Sequence, residues 1–129
     1  MPLLIFALIF VTSITSAFAE ISISDLSVKS GHHAAAAHLS LLNSGSTDDA
    51  LLSVESNGYG RVELHTMTMN DNIMKMRRVE LFDLPAGKTR LLKPMGDHLM
   101  LFDGRAHAGP LTFTFTFRDS PPITIAVPE

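Results

Sequence analysis

The chain has 129 residues, 18% of them charged, a formal net charge of −3 and no cysteine. That length suits one domain rather than two, and with no basic run the composition argues against nucleic acid as the partner. Without cysteine there is no disulfide framework, so stability has to come from a packed core.

Residues 1–19 read MPLLIFALIFVTSITSAFA: an apolar run over 3–11, a polar patch, then Ala17-Phe18-Ala19 as a small-x-small cleavage pattern. We read a secretory signal peptide cut after Ala19, leaving residues 20–129 as a single domain. The segment has no basic residue of its own, and an uncleaved membrane anchor is the competing reading. The apolar run is short for a span, and Ser and Thr interrupt it.

Residues 21–28 alternate as a first strand, and Gly31-His32-His33 breaks it. Residues 34–43, AAAAHLSLLN, carry alanines that favour helix. The segment is short and ends in a turn cluster at 43–46, so a strand is expected. Asp48 and Asp49 read as turn residues, 50–55 as a strand and 56–60 as a loop. Residues 61–68 and 73–79 form a hairpin around Asn70-Asp71-Asn72. Short strands follow at 81–84, 89–92 and 98–102, with turns at 85–87 and 93–96. Residues 111–117 place Leu111, Phe113, Phe115 and Phe117 on one face and Thr112, Thr114 and Thr116 on the other, a half-buried strand. Pro121-Pro122 turns the chain into a last strand at 123–127. Short strands spaced by turn signals, with no convincing helix, predict an all-β antiparallel sandwich or barrel.

Six of the seven methionines, at 67, 69, 74, 76, 95 and 100, lie between His65 and Met100. Methionine fills irregular gaps in cores, and any one of these taken alone reads that way. Clustered with His65 and His98, they make a soft-to-borderline donor set, and soft thioethers select Cu(I) over harder ions. A thioether has no proton to lose. A site built from it cannot oxidise to a disulfide, although methionine can form the sulfoxide.

A two-residue loop at Asn70-Asp71 would set His65 opposite Met76, Met67 opposite Met74 and Met69 opposite Asn72. His65, Met67, Met69, Met74 and Met76 would then share one face. A three-residue loop through Asn72 would turn Met74 and Met76 to the other face. The first register gathers the soft donors and is the one expected here. His98 and Met100, two apart on a strand, also share a face. With the 93–97 turn near the open end of the hairpin, they converge with His65 and Met76.

His65, ten residues, Met76, twenty-one residues, then His98-x-Met100 resembles the signature of the periplasmic copper(I) chaperone family called PCuAC. The flanking text is similar too: Val62-Glu63-Leu64-His65, Met74-Lys75-Met76-Arg77, Leu84-Pro85-Ala86-Gly87, Lys93-Pro94 and His98-Leu99-Met100-Leu101. The resemblance implies a cupredoxin-like Greek-key β-sandwich with His65, Met76, His98 and Met100 as metal ligands. It also implies Cu(I) carriage to respiratory oxidase assembly at the Cu-A centre. The partners would be the copper ion and a copper-accepting oxidase subunit or another copper chaperone. The protein would be a periplasmic monomer, or one anchored to the membrane facing the periplasm. The chain departs from the family pattern at Ser24-Asp25-Leu26-Ser27, where a Trp-x-Arg segment is usual, and at His38, where tyrosine is common. It departs again at Asn72 and Met95, where glycine is common, and in a shortened 104–111 loop. These changes bear on partner surface and affinity more than on metal identity.

Met67 and Met95 are candidate auxiliary ligands; Met69 and Met74 read as shield or packing. His32, His33 and His38 read as a solvated pair and an isolated strand histidine rather than a second metal site, and His107 has no assigned role. No nucleophile–base pair, paired-carboxylate motif or phosphate loop stands out, so an enzyme is not expected. Two alternatives to a chaperone stay open. One is a β-sandwich interaction module with a pliable Met-rich face. The other is a periplasmic copper storage or resistance protein.

Overall fold

The computed structural model describes residues 17–127. Most of the expected signal segment, residues 1–16, lies outside that range. Ten strands form: β1 (Ile21–Ser30), β2 (Ala35–Asn43), β3 (Asp49–Ser56), β4 (Tyr59–Asn70), β5 (Ile73–Val79), β6 (Phe82–Leu84), β7 (Thr89–Leu92), β8 (His98–Gly104), β9 (Thr112–Phe117) and β10 (Ile123–Ala126). One sheet runs β1-β2-β8-β4-β5, with β7 also paired to β2; the other runs β10-β9-β3-β6. Every pairing is antiparallel. Among the described residues no helix is long and apolar enough to cross a membrane.

Period-two burial explains why the alanine-rich stretch is a strand. Ala35, Ala37, Leu39 and Leu41 alternate inward and are at most 7% exposed, and that burial overrides the local helix preference of alanine. Leu64, Leu99 and Leu101 join them from the first sheet. Phe113, Phe115, Phe117, Leu51, Val54, Phe82 and Leu84 come from the second. The two inner faces interdigitate as in a sandwich core.

Two polar residues tie the ends of the sandwich. Asn43, fully buried, donates from Nδ2 to the Leu84 and Thr47 carbonyls at 2.8 and 2.9 Å and accepts the Gly45 amide at 3.0 Å. Asp49, expected in a turn, instead opens β3 and is 2% exposed. It accepts the Ala50, Asp119 and Ser120 amides at 2.8, 3.0 and 3.1 Å, and the Ser120 hydroxyl. A buried carboxylate is tolerable only when its lone pairs are filled in this way.

The β4–β5 register also differs from expectation. The loop is Asp71-Asn72, so His65 lies opposite Arg78, Met67 opposite Met76 and Met69 opposite Met74. Asp71 and Asn72 both have positive φ, 50° and 65°, the backbone of a type I′ hairpin turn whose twist matches the strands. Moving the loop by one position at each strand changes the rungs by two residues in sum. Face parity is therefore kept, and the histidine and methionines still share a side.

Candidate metal centre

The site lies on the outer face of the first sheet. Leu64 and Leu99 point into the core as one rung, so His65 and His98, the next rung, point out and face each other. Their ring centroids are 5.7 Å apart. Both are only 8% exposed although they lie on the outward face.

His98 is oriented by the turn before it. The Lys93 amide bonds the Asp97 carbonyl and the Gly96 amide bonds the Lys93 carbonyl, each at 3.0 Å. The Asp97 carboxylate accepts Thr66 Oγ1 at 2.6 Å and Arg90 Nε at 3.0 Å, which fixes the turn to β4 and β7. The Gly96 carbonyl then lies 2.9 Å from His98 Nδ1. A carbonyl can only accept, so Nδ1 carries the proton of the neutral ring and Nε2 keeps its lone pair. That lone pair faces Met76 Sδ at 3.0 Å. Thioether sulfur has no proton to give, so two electron-rich atoms meet. Only a proton or a metal cation between them relieves the contact.

His65 has the opposite tautomer. Its Nε2 lies 3.0 Å from Glu63 Oε1 and donates to it. Its Nδ1 is buried with no hydrogen-bond partner, the one such side-chain atom among the described residues. Buried polar atoms are rarely left so. A histidine that donates one N–H to a carboxylate and keeps its other nitrogen unpaired has the arrangement of a metal ligand. The Glu63 carboxyl is held below the ordinary carboxylate range, first by the His65 hydrogen bond. Partial burial opposes this, and the charges of Arg61, Arg78 and His65 reinforce it. Arg61 Nε reaches Glu63 Oε2 at 3.1 Å, and its guanidinium lies 4.5 Å over the Phe102 ring.

Met76 reaches His98 from β5, two rungs beyond His65. Met100 lies two residues along β8 from His98 on the same face, half-buried, at the rung it shares with Glu63 and Ala36. Met67 pairs with Met76. Met95 stands apart in the 93–97 turn, 69% exposed with φ 67°. His32 and His33 are exposed in the β1–β2 connection. His38, read from sequence as isolated, is half-buried with its ring centroid 6.5 Å from that of His98. Burial lowers its pKa, and the nearby His98 and Lys29 charges add to the effect. Glu63 was not singled out from sequence, although its position two residues before His65 on a strand places it on the same face.

Among the described residues no group of three or more His, Cys, Asp or Glu side chains is placed to hold a metal. The further donor that the structure brings to His98 is the Met76 thioether sulfur.

A family model described as "LpqE-like: Putative lipoprotein LpqE-like" matches residues 11–129. No curated protein matches the sequence. Among solved structures, the "Copper-bound PCuAC domain from PmoF2" superposes with a TM-score of 0.68 at 20% identity, covering 87% of this chain and 92% of that one. The "Apo PCuAC domain from PmoF1" gives 0.67 at 19%, covering 87% and 93%. A further structure, "apo PmoF2 PCuAC domain", gives 0.63 at 19%, covering 84% and 90%. At these identities the likeness is one of fold, and the fold is the cupredoxin-like Greek-key β-sandwich that the resemblance implied.

Proposed function

This chain belongs to the LpqE-like family, and from that premise we propose that it is an exported metallochaperone carrying Cu(I) as cargo. His65 Nδ1, His98 Nε2, Met76 Sδ and Met100 Sδ are its ligands. One observation carries the reading: two buried imidazoles lie 5.7 Å apart, centroid to centroid, one with a nitrogen that has no hydrogen-bond partner and the other with a nitrogen 3.0 Å from a thioether sulfur. Imidazole alone would serve zinc or copper(II) as well. Thioether completion favours the soft monovalent ion. One structural neighbour, a copper-bound PCuAC domain, points the same way.

Neutral ligands leave the site with the charge of the ion, and Met76, 48% exposed on the edge strand β5, gives an acceptor access to it. The acceptor in this reading is a respiratory oxidase subunit at its Cu-A centre or another copper chaperone, and the location is periplasmic. The family description as a lipoprotein supports export. A membrane-held form would rely on the apolar N-terminal segment, since none of the 129 residues is a cysteine that could carry a lipid.

The test is native mass spectrometry of the domain from Glu20 onward with equimolar Cu(I), anaerobic and reducing, followed by mixing with an apo Cu-A domain. One retained copper that moves to the Cu-A domain is expected. No retained copper would sink the metal reading. Retention without transfer would favour storage. The exposed methionines favour the interaction-module reading only if the copper-free protein binds the acceptor as tightly as the loaded one.

A further inference from the structure

The β4–β5 hairpin sorts its side chains in a way that packing does not explain. Up to Leu64 and Val79 its inner face is apolar and joins the core. Beyond that rung β8 has not yet begun, since His98, its first residue, already pairs with His65. The hairpin therefore continues as a two-stranded arm. On the arm the inner face carries Thr66, Thr68 and Asn70 from β4 and Lys75 and Arg77 from β5, with Ile73 alone apolar at the tip. The outward face carries Met67 opposite Met76 and Met69 opposite Met74. The apolar side chains are thus on the side away from the core. Met69 is 64% exposed and Met74 39%. A core filler would lie on the other face.

We propose that Met67, Met69 and Met74 form a second Cu(I) site made of thioethers alone, joined through Met76 to the His65–His98 centre. The proposal rests on the Cu(I) reading above and adds a loading position to it. Opposed residues on an antiparallel pair have Cβ atoms about 5 Å apart. Methionine's unbranched side chain can turn its sulfur to a shared point from there. The sulfurs would offer a soft ion a low-coordinate shell with no competing proton. Met76 belongs to both groups: it pairs with Met67 across the ribbon, and its sulfur lies 3.0 Å from His98 Nε2. An ion entering at the exposed tip can pass inward by exchanging one thioether for the next, staying Cu(I) throughout, and end where two imidazoles hold it more strongly.

Silver(I), a soft monovalent ion that does not change oxidation state, is the probe. The domain from Glu20 onward, labelled at the methionine methyls, is titrated with Ag(I) and followed by NMR and native mass spectrometry. The first equivalent should move the Met76 and Met100 methyls. A second, weaker equivalent should move Met67, Met69 and Met74 and should bind equally well at pH 7.5 and pH 5.5, because thioethers do not titrate. The M69L/M74L variant keeps the apolar volume and should lose the second equivalent while retaining the first. Saturation of the native chain at one ion, with the Met69 and Met74 methyls unmoved, overturns the proposal; so does an M69L/M74L variant that still takes two. Met95, exposed and alone in its turn, is the control. If its methyl moves at the same Ag(I) concentration as those of Met69 and Met74, the second step is adventitious thioether binding and the proposal fails. Loss of the first equivalent itself would be a failure of the copper reading, told apart by unmoved Met76 and Met100 methyls.

Discussion

His65 and His98 each commit one ring nitrogen to a protein oxygen, and the identity of that oxygen sets which nitrogen is left free. For His98 it is the Gly96 carbonyl, and for His65 the Glu63 carboxylate. Glu63→Gln keeps an acceptor but removes the charge that raises the basicity of the ring. Cu(I) affinity should fall on the order of 10–100-fold with the denaturation midpoint near native; an unchanged affinity in a chromophoric competition would remove Glu63 from the site. Glu63 ionises below its ordinary range in the folded state. Its contribution to stability is therefore present above the unfolded value of roughly 4.3 and lost as pH falls through the lower folded value, which chemical denaturation between neutral and acidic pH would record. Metal binding has a second pH dependence. A histidine must be neutral to coordinate, so lowering pH from about 7.5 to about 5 should weaken Cu(I) modestly. In a folded His65→Ala, His98→Ala double variant the residual affinity should be flat across the same range. A steep slope there would mean that another titrating group holds the copper.

Among the elements, the hairpin turn and the β3 anchor matter most. The Asp71-Asn72 turn sets the rungs that bring Met76 beside His98. Asn72 holds φ at 65°, where glycine carries no steric penalty. Asn72→Gly should keep Cu(I) affinity and change stability by at most about 1 kcal/mol, in the stabilising direction if relief of the backbone outweighs chain entropy. A loss of Cu(I) binding in this variant would mean that the side chain, and not the turn, matters to the site. At the other end of the sandwich, Asp49 ionises below the ordinary range. Burial pushes its carboxyl up, but the Ser120 hydroxyl and the Ala50, Asp119 and Ser120 amides together outweigh that. Asp49→Ala would strand those buried donors, and unfolding free energy should drop by about 2–4 kcal/mol. Cu(I) affinity of the folded fraction should be unchanged, because Asp49 lies in the other sheet.

At the scale of the molecule, the sandwich holds a nearly dry rung of two histidines on the outer face of one sheet and extends a two-stranded arm beyond it. The expected cut after Ala19 would make Glu20 the amino terminus. Its nitrogen lies 3.3 Å from Asn43 Oδ1, and its carbonyl accepts the Ser44 amide at 2.9 Å. The mature end would thus be tied to the β2–β3 connection. The intact mass of the protein purified after expression of residues 1–129 should correspond to residues 20–129; a mass that includes residues 1–19 would favour the anchor.

Much of this was legible in the sequence, because strands write their burial at a period of two. The alternation of Phe113, Phe115 and Phe117 and the turn clusters required no tertiary information. The grouping of His65, Met67 and Met69 on one face followed from parity alone; Met74 and Met76 join them because the loop has two residues and not three, and its shift by one position from the expected place keeps the parity. Tertiary structure decided what parity cannot express. Which residue stands opposite which depends on where the chain can adopt positive φ, and Asp71 and Asn72 took that place. That His98 meets His65, and that His38 stands beside His98, depends on β8 inserting between β2 and β4, strands far apart in sequence. Asp49 reads locally as a turn residue, and becomes a buried anchor only because the β9–β10 turn arrives with its amides. The free nitrogens at the site are likewise a tertiary result: a tautomer is set by its hydrogen-bond partner, and the Gly96 carbonyl reaches His98 only because Asp97 is held by Thr66 and Arg90.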